Sequence, residues 1–312
     1  MVGVCRILVN LKKEGLYNQQ VNLPILKNNG IRLYIKREDQ IHPFVSGNKF
    51  RKLKYNLAMA KTKGYDCLLT FGGAFSNHIA ATAYAGYEQG FKTIGLIRGE
   101  ELCGKDDNPT MNFAKSHGME LAFVDRVQYR DKDSESFLKE LEEKFGKFYV
   151  IPEGGTNGHA VRGCEEILQD QDADFHYICV AVGTGGTISG LINSLQDDQQ
   201  VLGFPALRGD FLKSEIRKFA TNNRWKLIDK YHFGGYAKIN RQLVEFINAF
   251  KCDTGIPLDP VYTGKMIYGI MDLVENGYFK GPCKILAIHT GGLQGIEGMN
   301  QVLKRKKLPL LT

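Results

Sequence analysis

The run HYICVAV (176–182) passes directly into GTGGT (183–187) and then into TISGLINSL (187–195). An apolar, β-branched run closed by glycine predicts a parallel strand covered on both faces. The segment after the glycines reads as a helix. Strand, glycine turn and helix together make one unit of an open α/β sheet, and the pattern recurs on both sides. CLLTF (67–71), TIGLI (93–97), ELAFV (120–124), KFYVI (147–151) and KILAIH (284–289) read as further strands. Helical stretches fall at 80–89, 109–117 and 134–145, and Phe50, Leu53 and Leu57 recur at helical spacing before Gly64. The alternation predicts an α/β protein with mostly parallel, doubly wound sheets. No repeat or low-complexity linker marks a domain boundary.

With 312 residues, 43% of them apolar, the chain can bury a sizeable core in two domains or one large one. No apolar run reaches the roughly 18 residues that a membrane helix needs, so no membrane partner is expected. In MVGVCRILVNLKKEG (1–15) the apolar residues precede the lysines, opposite to a secretory signal. The seven cysteines are odd in number, scattered and never spaced C-x-x-C. That pattern argues for reduced thiols in the cytoplasm and against a disulfide framework or a metal site. Net charge is +7, but the lysines are dispersed and not interleaved with aromatics, so no nucleic-acid partner is expected. The densest basic run, KRKK (304–307), reads as a solvated tail.

Ligands of open α/β sheets bind beyond the carboxyl ends of the strands. Four glycine-rich turns stand there: GGAFSN (72–77), PEGGTN (152–157), GTGGT (183–187) and HTGG (289–292). In GTGGT, Gly183, Gly185 and Gly186 allow successive N–H groups to converge on an anion, and the hydroxyls of Thr184 and Thr187 add donors. With a helix beginning behind it, the loop can hold a phosphate. It is not a Walker loop, and Ile188 breaks the dinucleotide fingerprint. A purely structural turn is the alternative. In GGAFSNH, Ser76 and Asn77 start a helix and suit a carboxylate, although Ser76 can equally be a simple N-cap and His78 a packed side chain.

Lys49 lies in SGNKFRKLKY (46–55), at a helix start and among Arg51, Lys52 and Lys54. The helix dipole and the cationic neighbours both disfavour its protonation and make it more available as a nucleophile, while on this segment alone a solvated basic helix start is the commoner reading. Tyr236 in FGGYAK and Tyr262 in DPVYTGKM sit beside turn residues, outside any apolar stripe. Each offers a ring face for stacking and a phenol for proton transfer, with core packing as the alternative.

Together, SGNKFRKL, GGAFSNH, GTGGT, DPVYTGK and HTGG resemble the fold-type II pyridoxal-phosphate enzymes. Within that group they resemble the branch of 1-aminocyclopropane-1-carboxylate (ACC) deaminases and D-cysteine desulfhydrases, from about Arg37 to HTGG and in the family's order. The resemblance implies pyridoxal 5'-phosphate as cofactor and a homodimer. It implies a large cofactor domain from residues 1–46 and 154–312 and a smaller inserted domain, 47–153. Lys49 would carry the cofactor through its ε-nitrogen, while Lys52 and Gly183 to Thr187 would hold the phosphate. Asn77 would bond the phenolic oxygen, Tyr262 would stack on the ring and Thr290 would face the pyridine nitrogen. Ser76, Asn77 and His78, largely through backbone, would bind the substrate carboxylate, with Ser76 and Tyr236 near the reacting carbon.

Within the resemblance, deaminases typically carry glutamate after the stacking tyrosine and leucine before the final glycine pair. Thr263 and Thr290 stand here instead, the desulfhydrase pattern, so α,β-elimination from a D-amino acid such as D-cysteine is expected and ACC deamination is second. Phe75, where glutamine is usual, departs from the family beside Ser76. Two readings of other classes are a non-catalytic binder of a phosphorylated metabolite, which would be colourless, and a nicotinamide oxidoreductase, which the broken fingerprint disfavours.

Overall fold

A computed structural model describes residues 16–104 and 108–312. The reading of 1–15 as lacking a secretory signal, and Cys5 with it, lies outside the described residues. The strands are β1 (Asn18–Val21), β2 (Ile31–Lys36), β3 (Cys67–Gly72), β4 (Lys92–Arg98), β5 (Met119–Val124), β6 (Tyr149–Ile151), β7 (Tyr177–Val182), β8 (Gln200–Pro205), β9 (Trp225–Leu227) and β10 (Cys283–Ile288). Between them run α1 (Pro24–Asn28), α2 (Asn48–Thr62), α3 (Asn77–Gln89), α4 (Pro109–Ser116), α5 (Glu135–Phe145), α6 (Gly158–Glu165), α7 (Gly186–Asn193) and α8 (Phe211–Arg217). Helices α9 (Arg241–Thr254), α10 (Thr263–Glu275) and α11 (Gly295–Arg305) follow.

Two sheets result, one of six strands in the order β1-β2-β10-β7-β8-β9 and one of four in the order β5-β4-β3-β6. Every pairing is parallel except β1 with β2. The chain leaves the larger sheet after β2, builds the smaller one from β3 to β6, and returns at β7.

Strand β7 shows why its sequence reads as continuously apolar. Cys179 and Ala181 face one core with Ile285 and Ala287 of β10, whereas Ile178, Val180 and Val182 face a second core with Leu286 and Ile288. Both faces are covered, so no position is left for a polar residue. The smaller sheet repeats this, with Leu68 against α2 and α3 on one side and Leu69 and Phe71 against α5 on the other.

Two devices fix α2 relative to the larger sheet. A buried Arg51 guanidinium donates from Nε and Nη2 to the Glu38 carboxylate, both at 2.9 Å, tying α2 to the end of β2. Helices α2, α6 and α7 also pack backbone to backbone: a Cβ on Gly163 would lie 2.0 Å from the Arg51 carbonyl oxygen, and one on Gly190 2.5 Å from Cys164 Cβ. Gly163→Ala should therefore lower unfolding free energy by about 2–3 kcal/mol through forced separation of α2 and α6. Urea titration checks this, and a loss below about 0.5 kcal/mol would contradict the packing described.

The KRKK run is not a tail. Lys304 and Arg305 end α11, exposed, and the chain continues to Leu311, which is buried and accepts from Asn300 Nδ2 at 2.9 Å. The six described cysteines carry no disulfide, and no described helix is long and apolar enough to cross a membrane.

Candidate active site

All four glycine turns, at the carboxyl ends of β3, β6, β7 and β10, open onto one cavity of about 420 Å3. Lys49 and Lys52 reach it from the first turns of α2. Gly47, ahead of that helix, has φ 59° and sits so close to β10 that a Cβ would fall 2.1 Å from the Thr290 carbonyl oxygen. Asn48 N–H donates to the same oxygen at 3.3 Å, so the start of α2 is stitched to HTGG.

At one end of the cavity, Gly185 takes φ 90° and α7 begins at Gly186, directing its first N–H groups at the space beside Lys52. Lys52 Nζ donates to Gly154 O (2.9 Å), Thr156 Oγ1 (3.0 Å) and Thr184 Oγ1 (3.5 Å). Thr156 and Thr184 share a hydroxyl contact at 2.5 Å, and Thr187 Oγ1 accepts from Asn48 Nδ2 at 2.8 Å. Lys52 is buried, has no carboxylate partner among the described residues, and is lowered by that burial to about 8. A Cβ on Gly186 would crowd Thr156 Oγ1 at 2.9 Å and Lys52 Nζ at 3.2 Å. A buried, acid-free ammonium beside three hydroxyls and a helix N-terminus is the donor set a phosphate needs.

Lys49 lines the cavity and donates from Nζ to Asn48 Oδ1 at 3.0 Å. Its pKa falls to about 7, first because burial strips water from the ammonium and second because Lys52 is close. This ordering corrects the expected cause. Of the three cationic neighbours only Lys52 contributes, since Arg51 is spent on Glu38 and Lys54 pairs with Glu166 at 2.7 Å.

Ser76 caps α3, its Oγ accepting from His78 N (3.2 Å) and Ile79 N (3.4 Å), and it lines the cavity as well. Asn77 faces the cavity, its Oδ1 accepting from Gln294 Nε2 at 3.1 Å. The His78 ring turns inward. Thr70 Oγ1 donates to Ile151 O at 2.8 Å, so it accepts from His78 Nε2–H, also at 2.8 Å, which fixes the tautomer. Burial, then the charges of Lys49 and Lys52, hold this imidazole well below its usual pKa, and it stays neutral.

Across the cavity, the Tyr236 and Tyr262 rings stand edge to face, 6.3 Å between centroids. Tyr262 lies over Gly183, where a Cβ would meet its ring at 3.3 Å. Burial raises the pKa of both phenols, that of Tyr262 far above its ordinary value, so both are protonated at neutral pH. Thr290 lines the same space.

Three participants lie within the quoted motifs but have no role assigned from the sequence. Asn48 bridges Lys49 to Thr187, and Thr156 completes the Lys52 contacts. Asp259, 1% exposed, accepts from the N–H groups of Val261, Tyr262 and Thr263 and from Thr263 Oγ1. Asx-type capping explains why Asp precedes Pro260 in this turn, a signal present in DPVYTG. Arg98 and Glu153 also line the cavity.

Residues 17–291 match the family model described as pyridoxal-phosphate dependent enzyme, so the chain belongs to that family. Its relatives narrow the group. A Pyrococcus horikoshii protein named "Putative 1-aminocyclopropane-1-carboxylate deaminase" is 37% identical, with 85% of this chain and 86% of that protein covered. The mitochondrial bifunctional D-cysteine desulfhydrase/ACC deaminase of Arabidopsis thaliana is 34% identical, covering 88% and 75%. A crystal structure of an ACC deaminase homologue superposes with a TM-score of 0.81 at 32% identity, covering 96% of this chain and 97% of that one. This chain is a member of the ACC deaminase/D-cysteine desulfhydrase family, and pyridoxal phosphate is the family's cofactor. The cradle and the depressed amine described above fit that group's phosphate and carbonyl.

A pH dependence follows for the protein stripped of cofactor. With Lys49 at about 7, its free-amine fraction rises about tenfold between pH 6 and pH 8 and then levels off. The rate at which added pyridoxal phosphate produces the yellow form should rise by a similar factor. A rate still climbing in proportion to hydroxide at pH 9 would show an ordinary lysine.

Proposed function

We propose that this chain is a lyase that removes the β-substituent and amino group of a D-amino acid, converting D-cysteine to pyruvate, ammonia and hydrogen sulfide. Lys49 would bind the cofactor covalently, Lys52 and Gly183 to Thr187 would hold its phosphate, and Asn77 would serve its phenolic oxygen. Tyr262 would pack against its ring and Thr290 would serve its ring nitrogen. When bound, pyridoxal phosphate supplies an electrophilic carbonyl and an electron sink. Ser76, with the backbone of Asn77 and His78 at the start of α3, orients the substrate carboxylate. Lys49 Nζ takes the proton from Cα, a task suited to an amine titrating near 7. The hydroxyls of Tyr236 and Tyr262 hold the proton that the departing sulfur accepts.

The observation that carries the choice is the buried Thr263, and the state of the bases agrees with it. Lys49 is the depressed base, whereas both phenols are held protonated. That suits a substrate with a Cα proton. ACC has none, and opening its ring requires nucleophilic help that protonated phenols supply poorly. Thr263, at the position where deaminases typically carry glutamate, is buried with its hydroxyl on Asp259 at 2.6 Å. A neutral Thr290 supports a protonated pyridine poorly and favours elimination over transamination. ACC deamination is the second reading, supported by the name of the Pyrococcus horikoshii relative. Both readings carry a cytoplasmic homodimer without nucleic-acid or membrane partners, built from a unit of residues 1–46 and 154–312 around an inserted unit, 47–153.

The test is a substrate panel of D-cysteine, β-chloro-D-alanine, D-serine and ACC, scored for keto acid. Pyruvate from D-cysteine as the dominant product is expected. 2-Oxobutyrate from ACC as the main activity would replace this reading with the second.

A further inference from the structure

The motif DPVYTGKM, whose Tyr262 lines the cavity, also carries a charge that the proposed chemistry does not use. Lys265 is 2% exposed, one turn into α10 from Tyr262. Its Nζ donates to two backbone carbonyls of a neighbouring loop, His232 O at 2.9 Å and Gly235 O at 2.8 Å. That loop carries Tyr236, and four of its five residues from 233 to 237 have positive φ: Phe233 (53°), Gly234 (92°), Gly235 (118°) and Ala237 (53°). For Phe and Ala this is a sparsely populated backbone that persists only where the surroundings impose it.

The loop's own hydrogen bonds are few. Gly235 N donates to His232 O, Lys238 N to Gly235 O, and Gly234 N to the His232 ring. Lys265 therefore adds its two bonds at the same oxygens on which the turn closes. Charge-assisted bonds of this kind are stronger than neutral ones, and a buried ammonium left without them would be uncompensated. Its pKa falls to about 8 through burial, partly offset by Asp259, so it is charged at neutral pH.

We infer that Lys265 is a positioning residue: it locks the strained 233–237 loop onto the helix that begins at Tyr262, and so fixes the two phenols at their edge-to-face spacing. This inference rests on the proposed role of the tyrosine pair. Lys265 touches neither substrate nor cofactor. It acts through Tyr236, and its removal should affect turnover more than binding.

Three measurements on the cofactor-loaded enzyme test this. Lys265→Met should lower kcat for the best substrate at least tenfold while KM moves less than threefold. Hydrogen exchange in 232–238 should accelerate at least tenfold, with β7 and β10 unchanged. In a Tyr236→Phe background the same substitution should lower kcat less than twofold further, because a residue acting through Tyr236 cannot act twice. If Lys265→Met does not fold, Lys265→Gln, which is neutral and keeps an N–H donor, takes its place and should show faster exchange in 232–238 than the native enzyme, with β7 and β10 unchanged. Unchanged loop exchange with wild-type kcat, or losses that multiply in the double variant, would overturn the inference. Faster loop exchange combined with a Tyr236→Phe single variant of normal kcat would keep the Lys265 lock and remove the proposed role of Tyr236.

Discussion

Lys49→Ala should abolish turnover of every substrate in the panel, a loss of about 10^4-fold or more, because it removes the proposed nucleophile and the proposed base together. Stability should not suffer. The folded pKa, about 7, lies below the ordinary lysine value of 10.5, so the unfolded chain binds more protons between those limits. Burying this amine therefore costs stability at neutral pH, and the cost fades as pH rises toward 10.5. The alanine variant should unfold at an unchanged or higher urea concentration than the cofactor-free native protein at pH 7. Urea titration and a keto-acid assay check the two halves independently. Turnover within tenfold of the native enzyme would remove Lys49 from the chemistry.

The second large effect is expected at Asp259, which contacts no proposed ligand atom. Its carboxylate accepts four hydrogen bonds at 2.6–2.9 Å at the start of α10, where the helix dipole also favours a negative charge. Asp259→Ala leaves three N–H groups without an acceptor, that of Thr263 buried and those of Val261 and Tyr262 part-buried. Bonds to a charged group contribute about 1.5–3 kcal/mol each, and some are replaceable by water, so a loss of about 4 kcal/mol is expected. Tyr262 caps the same helix, so its ring should lose its register over Gly183 and kcat should fall with stability. Asp259→Asn keeps one acceptor for the Val261 and Tyr262 N–H groups but turns an amide donor toward Thr263. Its loss should lie between native and alanine. Calorimetric melting of the three proteins checks the order, and an alanine variant within 0.5 kcal/mol of native would mean that the turn is held by something else.

Much of this architecture is legible in the amino-acid sequence for a physical reason. A strand covered on both faces is dominated by apolar residues and admits a polar one such as Thr70 only where its hydroxyl is satisfied, so β3, β7 and β10 stand out as apolar runs. The loops at their ends pack closely against neighbouring atoms and are therefore rich in glycine. Strands β1, β2, β8 and β9 and helices α9 to α11 are less visible. IRLYIK mixes charge into β2 because Lys36 ends the strand buried against Asp172 at 2.6 Å, a pairing that joins positions 136 residues apart and leaves no local pattern. The site divides in the same way. Lys49 and the four loops announce themselves through local composition. Asn48 and Thr156 act through partners that only the tertiary fold supplies, Thr187 and Lys52, whereas the partners of Asp259 lie within its own turn and are open to a closer reading of DPVYTG. The cause of Lys49's low pKa was also hidden, because burial exceeds the local charges that a sequence displays, and of those charges Arg51 and Lys54 prove to be paired elsewhere.

The most direct test of the central claim is chemical. Borohydride reduction of the yellow enzyme, followed by proteolysis and peptide mass mapping, should place a pyridoxyl group on Lys49 within SGNKFR. A pyridoxyl group on Lys52 or elsewhere, with Lys49 unmodified, would contradict the account.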